Sequence, residues 1–155
     1  MNESVKTLET SPLALSPSPD ALALTDGALQ VALVAAQAAD DRKAANIRVV
    51  QVTAVSYLAD YFVVASGFSP VQVKAIARAI EAAVQEQCDH PVLRQEGLSE
   101  RRWILQDYGD VVVHLFMPQE REYYNLEAFW GHGQPVDWQA HIPAATRLIE
   151  HPELA

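Results

Sequence analysis

Cysteine occurs once in the 155 residues, at Cys88, so no internal disulfide can form, which fits a reducing compartment. Cys88 falls near the end of a predicted helix and reads as a half-buried small side chain rather than a nucleophile. Basic charge is scarce: 11 Lys and Arg stand against 20 Asp and Glu, a net charge of -9. Nucleic-acid binding normally draws on a basic footprint that displaces counterions from phosphates. This balance argues against RNA or DNA as the target that dominates affinity, and it suits a basic protein partner. Long hydrophobic runs are missing as well. The most apolar stretch, Ala28 to Ala39, is interrupted by Gln30 and Gln37 and is too short to span a bilayer. The first 26 residues contain no arginine and carry Glu3, Glu9, Asp20 and Asp26, unlike a transit peptide, and they lack the continuous apolar centre of a secretory signal. A cytoplasmic protein without a membrane anchor is the expectation. No internal repeat is present.

What is there divides into three zones. Residues 1–24 are punctuated by Pro12, Pro17 and Pro19, which defeat helix and ladder alike, and read as a flexible arm bearing Leu13, Leu15, Leu22 and Leu24. Residues 25–138 carry the periodic patterns of an α/β domain. Residues 139–155 read as an irregular tail. The irregular character sets in beyond Trp130, with a weak helical turn near Ala144 to Glu150.

Within the domain, Thr25 or Asp26 can cap a helix over roughly Gly27 to Lys43, with Leu29, Ala32, Leu33 and Ala36 on one face. Ile47 to Thr53 and Tyr61 to Ser66 are rich in β-branched and aromatic residues and read as strands. Gly67-Phe68-Ser69-Pro70 is a boundary. Glycine permits an unusual backbone turn, Ser69 can cap, and Pro70 suits the first helical position. The following helix runs to about Gln87 with Val73, Ile76, Ala77, Ile80 and Val84 on its buried stripe. Pro91 to Glu96 is a short strand. Two further strands follow, folded back on each other around Asp107-Tyr108-Gly109-Asp110. On the second of these, Val111, Val113 and Leu115 point one way and Val112, His114 and Phe116 the other. Both sets are mostly apolar, which places the strand centrally, covered on both faces. Pro118 to Glu127 reads as a short helix. The order α-β-β-α-β-β-β-α describes a layered domain with a mixed sheet of about five strands.

Several chemistries can be weighed on these residues. A Gly-x-Ser turn opening a helix can cradle a triphosphate, and Asp107 and Asp110 could then serve a metal. The neighbouring strand positions are Val112, His114 and Phe116, so no third carboxylate is at hand, and no cluster of Lys or Arg is placed to hold phosphates. A metal-dependent nucleotidyltransferase is therefore the weaker alternative, and the turn reads first as a helix cap. His90, His114, His132, His141 and His151 follow no zinc-site spacing, and His114 reads as a satisfied core histidine. Ser56, Ser66 and Ser69 lack histidine and acid partners. An interaction surface draws on more of the chain. Trp103, Tyr108, Tyr123, Tyr124, Phe129 and Trp130 are interleaved with Asp107, Asp110, Glu120, Glu122 and Glu127. Aromatics of this kind divide between core and interface centres. The same cluster also admits a homodimer interface.

Four segments carry a more specific likeness. They are Ser56-Tyr57-Leu58-Ala59-Asp60-Tyr61-Phe62-Val63-Val64-Ala65-Ser66-Gly67; Val73-Lys74-Ala75-Ile76-Ala77; Glu96-Gly97 with Trp103-Ile104-Leu105-Gln106-Asp107-Tyr108-Gly109-Asp110-Val111-Val112-Val113-His114; and Arg121-Glu122-Tyr123-Tyr124-Asn125-Leu126-Glu127 with Trp130. In this order they resemble the ribosomal silencing factor family, RsfS or Iojap, from about Ala28 to Asp137. The resemblance implies a nucleotidyltransferase-like α/β fold without the catalytic acids, no enzymatic activity and no cofactor. It implies binding to the large ribosomal subunit through large-subunit ribosomal protein fourteen. That binding would block joining of the small subunit and repress translation when nutrients are scarce, and a role in large-subunit maturation is associated with the family. The partner-binding residues carried over are Trp103, Asp107, Tyr108, Asp110, Arg121, Tyr123 and Tyr124. Phe68 departs from the family, where a small polar residue is commoner, and this further weakens a phosphate cradle.

Overall fold

The computed structural model describes residues 27–56, 58–130 and 132–141. Helix α1 spans Gly27–Asp41 and buries Leu29, Val31, Ala32, Ala35, Ala36, Ala38 and Ala39. This alanine-rich face lets it lie close against the sheet and against the second helix. It stops two residues short of the expected Lys43, which adopts φ 65 and turns the chain into β1, Ala45–Gln51. Strand β2, Tyr61–Ser66, returns antiparallel to it. Helix α2, Pro70–Cys88, begins as its sequence requires: Ser69 Oγ accepts from the Gln72 N–H at 3.0 Å and Pro70 occupies the first turn. Its buried residues are Val73, Ile76, Ala77, Ile80 and Val84, the stripe read from the 3.6-residue period. Strands β3 (Arg94–Glu96), β4 (Trp103–Asp107) and β5 (Val111–Phe116) follow, then a two-turn helix α3 (Pro118–Tyr124) and a 3-10 turn at Leu126–Trp130.

With a last strand β6 at Gln134–Val136, the described residues form one six-stranded mixed sheet, in the order β3-β4-β5-β2-β1-β6. Only β2 and β5 run parallel, with Tyr61 opposite Val111 and Ser66 opposite Phe116. The sixth strand corrects the expected five. It is β6, Gln134–Val136, in the stretch beyond Trp130 that reads as irregular, and it adds to the edge of β1 with Val49 opposite Val136. Three residues are too few to show alternation, and Pro135 argues against a strand unless that strand is an edge. Just beyond, Trp138 is 8% exposed and its indole N–H donates to the Ile47 carbonyl at 3.3 Å, pinning the segment down. The arm at 1–24, the caps Thr25 and Asp26, and the helical turn at 144–150 lie outside the described residues.

Both long helices cover one face of the sheet. Tyr61, Val63 and Ala65 of β2, Ile104 of β4, and Val111, Val113 and Leu115 of β5 meet Val73, Ile76, Ile80, Val84 and the alanines of α1 in the main core. Gln106 joins this face although it is polar. It is fully buried, and its amide donates to the Ala77 carbonyl at 2.9 Å and to Gln95 Oε1 at 3.1 Å, tying α2, β3 and β4 together. A buried amide costs little when its donors are paired in this way.

The turn that aims β4 depends on Gly97, which has φ 87. A Cβ there would stand 2.0 Å from the Trp103 carbonyl oxygen, a contact with backbone that cannot rotate away. We expect Gly97→Ala to lower unfolding free energy by about 2 kcal/mol or more, measured by urea denaturation, whereas Gly27→Ala, with open space around it, should be close to neutral.

Candidate interaction surface

The face of the sheet away from the long helices is covered by aromatic rings. Period-two alternation puts Trp103 of β4, His114 and Phe116 of β5, and Phe62 of β2 on this side. Trp103 sits opposite Phe116 in the antiparallel ladder, and their rings stack at 4.9 Å between centroids. The Trp103 indole N–H donates to His114 Nδ1 at 3.2 Å. His114 Nδ1 is thus an acceptor, and the ring is a buried neutral imidazole whose pKa burial pulls down to about 4. Trp130, brought back over the sheet by the 3-10 turn, packs on Phe62 at 4.3 Å and on His114 at 5.7 Å. At the other end Tyr124 packs on Trp103 at 4.6 Å, and Tyr123 stands edge-on to Tyr124 at 5.0 Å. The layer is graded from inside to out. Phe116 and His114 are buried, Trp103 and Trp130 are half-buried, Tyr124 is 44% exposed and Tyr123 is 79% exposed.

Helix α3 carries the two tyrosines and is too short to be stable alone. Arg121 holds it. Its guanidinium donates to Ser66 Oγ at 3.0 Å and, in a two-pronged pair, to Glu127 Oε1 at 3.2 Å and Oε2 at 2.9 Å. Hydrogen bonding from Arg121, with its charge and that of Arg48 adding, holds the Glu127 carboxyl below its ordinary range despite partial burial. A second clamp joins Arg102, just before β4, to Glu120. Asn125 closes the helix with φ 46 and donates its N–H to the Arg121 carbonyl at 2.9 Å.

The seven residues carried over from the family therefore separate. Trp103, Tyr123 and Tyr124 form one continuous surface. Arg121 lies beneath it with its side chain 12% exposed, so it anchors α3 instead of facing outward. Asp107, Tyr108 and Asp110 lie at the far end of β4 and β5, with Asp107 about 14 Å along the strand from Trp103 at ~3.4 Å per residue. Asp107 is tied into its own turn: Oδ1 accepts from the Gly109 N–H at 2.8 Å and Oδ2 faces Arg94 at 3.6 Å. Tyr108 is not presented by the turn. It is 2% exposed, packs edge-on to His90 at 5.5 Å, and its hydroxyl points to Gln106 Oε1 at 3.5 Å. Burial, with Glu81 adding, pushes its phenol well above the usual range. The alternation Ile104, Gln106, Tyr108 runs on past the end of β4 and carries the ring inward, a signal present in the sequence but masked by the turn composition. Asp110 alone of this trio is exposed, while its carbonyl accepts from Asp60 and Tyr61 at 2.7 and 3.1 Å. Glu122 and Phe129, the latter 78% exposed, stand beside the tyrosine edge and the 3-10 turn.

The phosphate-cradle residues have structural occupations. Ser69 Oγ caps α2, and Gly67 is needed for packing rather than for a turn, since a Cβ there would come within 3.0 Å of Val73 Cγ2 and 3.2 Å of its backbone nitrogen. Among the described residues no three His, Cys, Asp or Glu gather as metal ligands, and no helix is long and apolar enough to cross a membrane.

A mixed sheet with helices on one face and a pinned aromatic layer on the other defines an α/β domain that presents an aromatic edge flanked by acids. The chain matches the family described as "Ribosomal silencing factor during starvation" over residues 25–153, and it belongs to that family. The match continues past Asp137, where the motif likeness stops. The chain is 45% identical over 104 residues to the Ribosomal silencing factor RsfS of Bacillus subtilis, covering 67% of this chain and 87% of that protein. It is 33% identical over 105 residues to the mouse "Mitochondrial assembly of ribosomal large subunit protein 1", covering 66% of this chain and 46% of that one. A crystal structure of a Chromobacterium violaceum protein superposes with TM-score 0.65 at 33% identity, covering 76% of this chain and 95% of that chain.

The buried imidazole makes stability pH-dependent with a definite sign. Between the ordinary histidine range and pH 4 the unfolded chain binds a proton that the folded one refuses, so stability is lost as pH falls through that window. We expect the wild type to lose on the order of 3 kcal/mol more than His114→Asn between pH 7 and 4. The asparagine oxygen can still accept from Trp103 but does not titrate. Equilibrium denaturation of both proteins across this range provides the measurement.

Proposed function

We propose that this protein is a non-enzymatic translational repressor that binds the large ribosomal subunit. In this reading the aromatic edge docks on large-subunit ribosomal protein fourteen and the bound domain blocks joining of the small subunit. It acts in the cytoplasm, chiefly when nutrients are scarce. One observation carries the reading: Tyr124 and Tyr123 project from an aromatic stack rooted in the sheet, with Trp103 behind them and Glu122 beside them. Rigid aromatic anchors are what interface centres favour, because little side-chain freedom is lost on docking. The surrounding acids and the net charge of -9 suit a basic protein face and would speed encounter with it. Family membership and the naming of the Bacillus subtilis relative as a ribosomal silencing factor support a ribosomal target.

Co-sedimentation with purified large subunits tests it. Tyr123→Ala/Tyr124→Ala should weaken association about tenfold or more, with unfolding free energy changed far less than by Trp103→Ala, whose indole bonds His114. Asp110→Lys, at the far end of the strands, should act mainly through the rate of association and its salt dependence. A folded double tyrosine variant that sediments as the wild type does, and still inhibits subunit joining followed by light scattering, would sink the proposal.

A further inference from the structure

Positive charge in this acidic domain is unevenly used. Among the described residues, ion pairs take up Arg48, Arg94, Arg102 and Arg121, and none includes Lys74, Arg78 or Arg101. These three lie together. Gln72 reaches the α1–β1 turn from one flank of α2, donating to the Arg42 and Lys43 carbonyls at 3.2 Å. Lys74 and Arg78, one helical turn apart, fall on the opposite flank, toward β3 and β4. That this flank faces β3 is confirmed by Glu81, which accepts from Gln95 at 3.3 Å. Arg101 closes the group from the turn before β4, where its Nε donates to the Leu98 carbonyl at 3.3 Å. The Lys74 ammonium is held below its ordinary range by the Arg101 charge first, by Arg78 next and by burial last. The fold thus keeps the Lys74 charge close to two like charges that repel it, while Glu81, farther along the same flank, is bonded to Gln95.

Their position says what would relieve that repulsion. Arg101 is two residues from Trp103, so the group lies around the β3–β4 edge from the aromatic layer. A basic protein docked on Trp103, Tyr123 and Tyr124 would be repelled by it. A ribosomal protein is basic, however, because its neighbours are RNA phosphates, and a domain docking on one meets phosphates at the rim of the contact. A chain of net charge -9 approaching that polyanion also needs its free cations turned toward it. We propose that Lys74, Arg78 and Arg101 form an RNA-phosphate contact that engages ribosomal RNA beside the docked basic protein, an inference that rests on the docking reading above. Arginine supplies a planar fork to phosphate oxygens and lysine a point charge, and neither reads sequence at the backbone. The contact adds orientation to binding whose main affinity comes from the aromatic edge.

The test uses the full chain and a fluorescein-labelled oligouridylate of about twelve nucleotides, read by anisotropy, with large-subunit co-sedimentation alongside. The wild type should bind the oligonucleotide weakly, near 10⁻⁴ M, with a logarithmic salt slope of about −2 for three phosphates on a single strand. Lys74→Gln/Arg78→Gln/Arg101→Gln should lose at least tenfold in affinity and flatten the slope. It should also lower large-subunit binding and its salt slope, while Tyr123→Ala/Tyr124→Ala leaves oligonucleotide binding unchanged. All three substitutions are outside the core, and thermal melts of the variant check that it folds. The proposal is overturned if the wild type ignores the oligonucleotide at low salt, if the triple variant matches it in both assays, or if a polyglutamate peptide of equal charge binds better than the RNA. Wild type that binds the oligonucleotide but fails to sediment with large subunits removes the docking reading instead. Normal sedimentation with an unchanged slope in the triple variant removes this one alone.

Discussion

The hydrogen bond from the Trp103 indole to His114 Nδ1 is the contact on which the open face of the sheet depends. Both groups are polar and both sit under a layer of rings, where an unpaired donor or acceptor would cost more than the bond itself contributes. Pairing them leaves two aromatic surfaces free to stack. Phe116 and Tyr124 pack on Trp103, and Phe62 and Trp130 close over His114. The bond therefore joins the two ends of the layer and fixes the orientation of the tryptophan that supports the exposed tyrosines. It also explains a histidine at a central strand position: the ring serves as an acceptor within an aromatic stack, and burial keeps it neutral.

A second constraint acts on α3. Seven residues make a marginal helix, and none of them is buried. What holds it is an ionic lattice at its base, with Arg121 bound to Ser66 on β2 and to Glu127 beyond the helix, and Arg48 on β1 adding at 3.5 Å. Because Arg121 is largely enclosed and its carboxylate partner is half-covered, this lattice is screened less than a surface pair and gives direction as well as energy. It sets the helix that carries Tyr123 and Tyr124 in place without burying the two rings.

Charge is organised in the same spirit. The acids near the tyrosine edge and the turn leave that part of the surface negative, the paired arginines lock elements together, and Lys74 and Arg78, which no ion pair takes up, lie on the outer flank of α2 with Arg101 near Lys74. Net charge describes none of this. A balance of -9 sets long-range attraction and repulsion, whereas local segregation decides which part of an acidic domain faces an acidic or a basic neighbour.

The sequence by itself determined the elements whose periodicity is sustained. The stripe on α2, its Ser69-Pro70 start and the two-sided burial of β5 were all legible, because each follows from local geometry repeated over several residues. It also carried the family likeness, through segments that the fold places on β2, α2, β4, β5 and α3. What it left open was decided by contacts between residues distant along the chain. Strand β6 exists only because β1 offers an edge to Pro135 and Trp138 finds the Ile47 carbonyl. Arg121 looked like a binding residue and became an anchor because Ser66, fifty-five positions earlier, lies within reach. Tyr108 sat among acids in a turn, yet the fold draws it inward beside Gln106 and His90. Which aromatics face water and which cations lack partners depends on three-dimensional neighbours. Composition holds the residues of both surfaces, and only the tertiary structure sorts them.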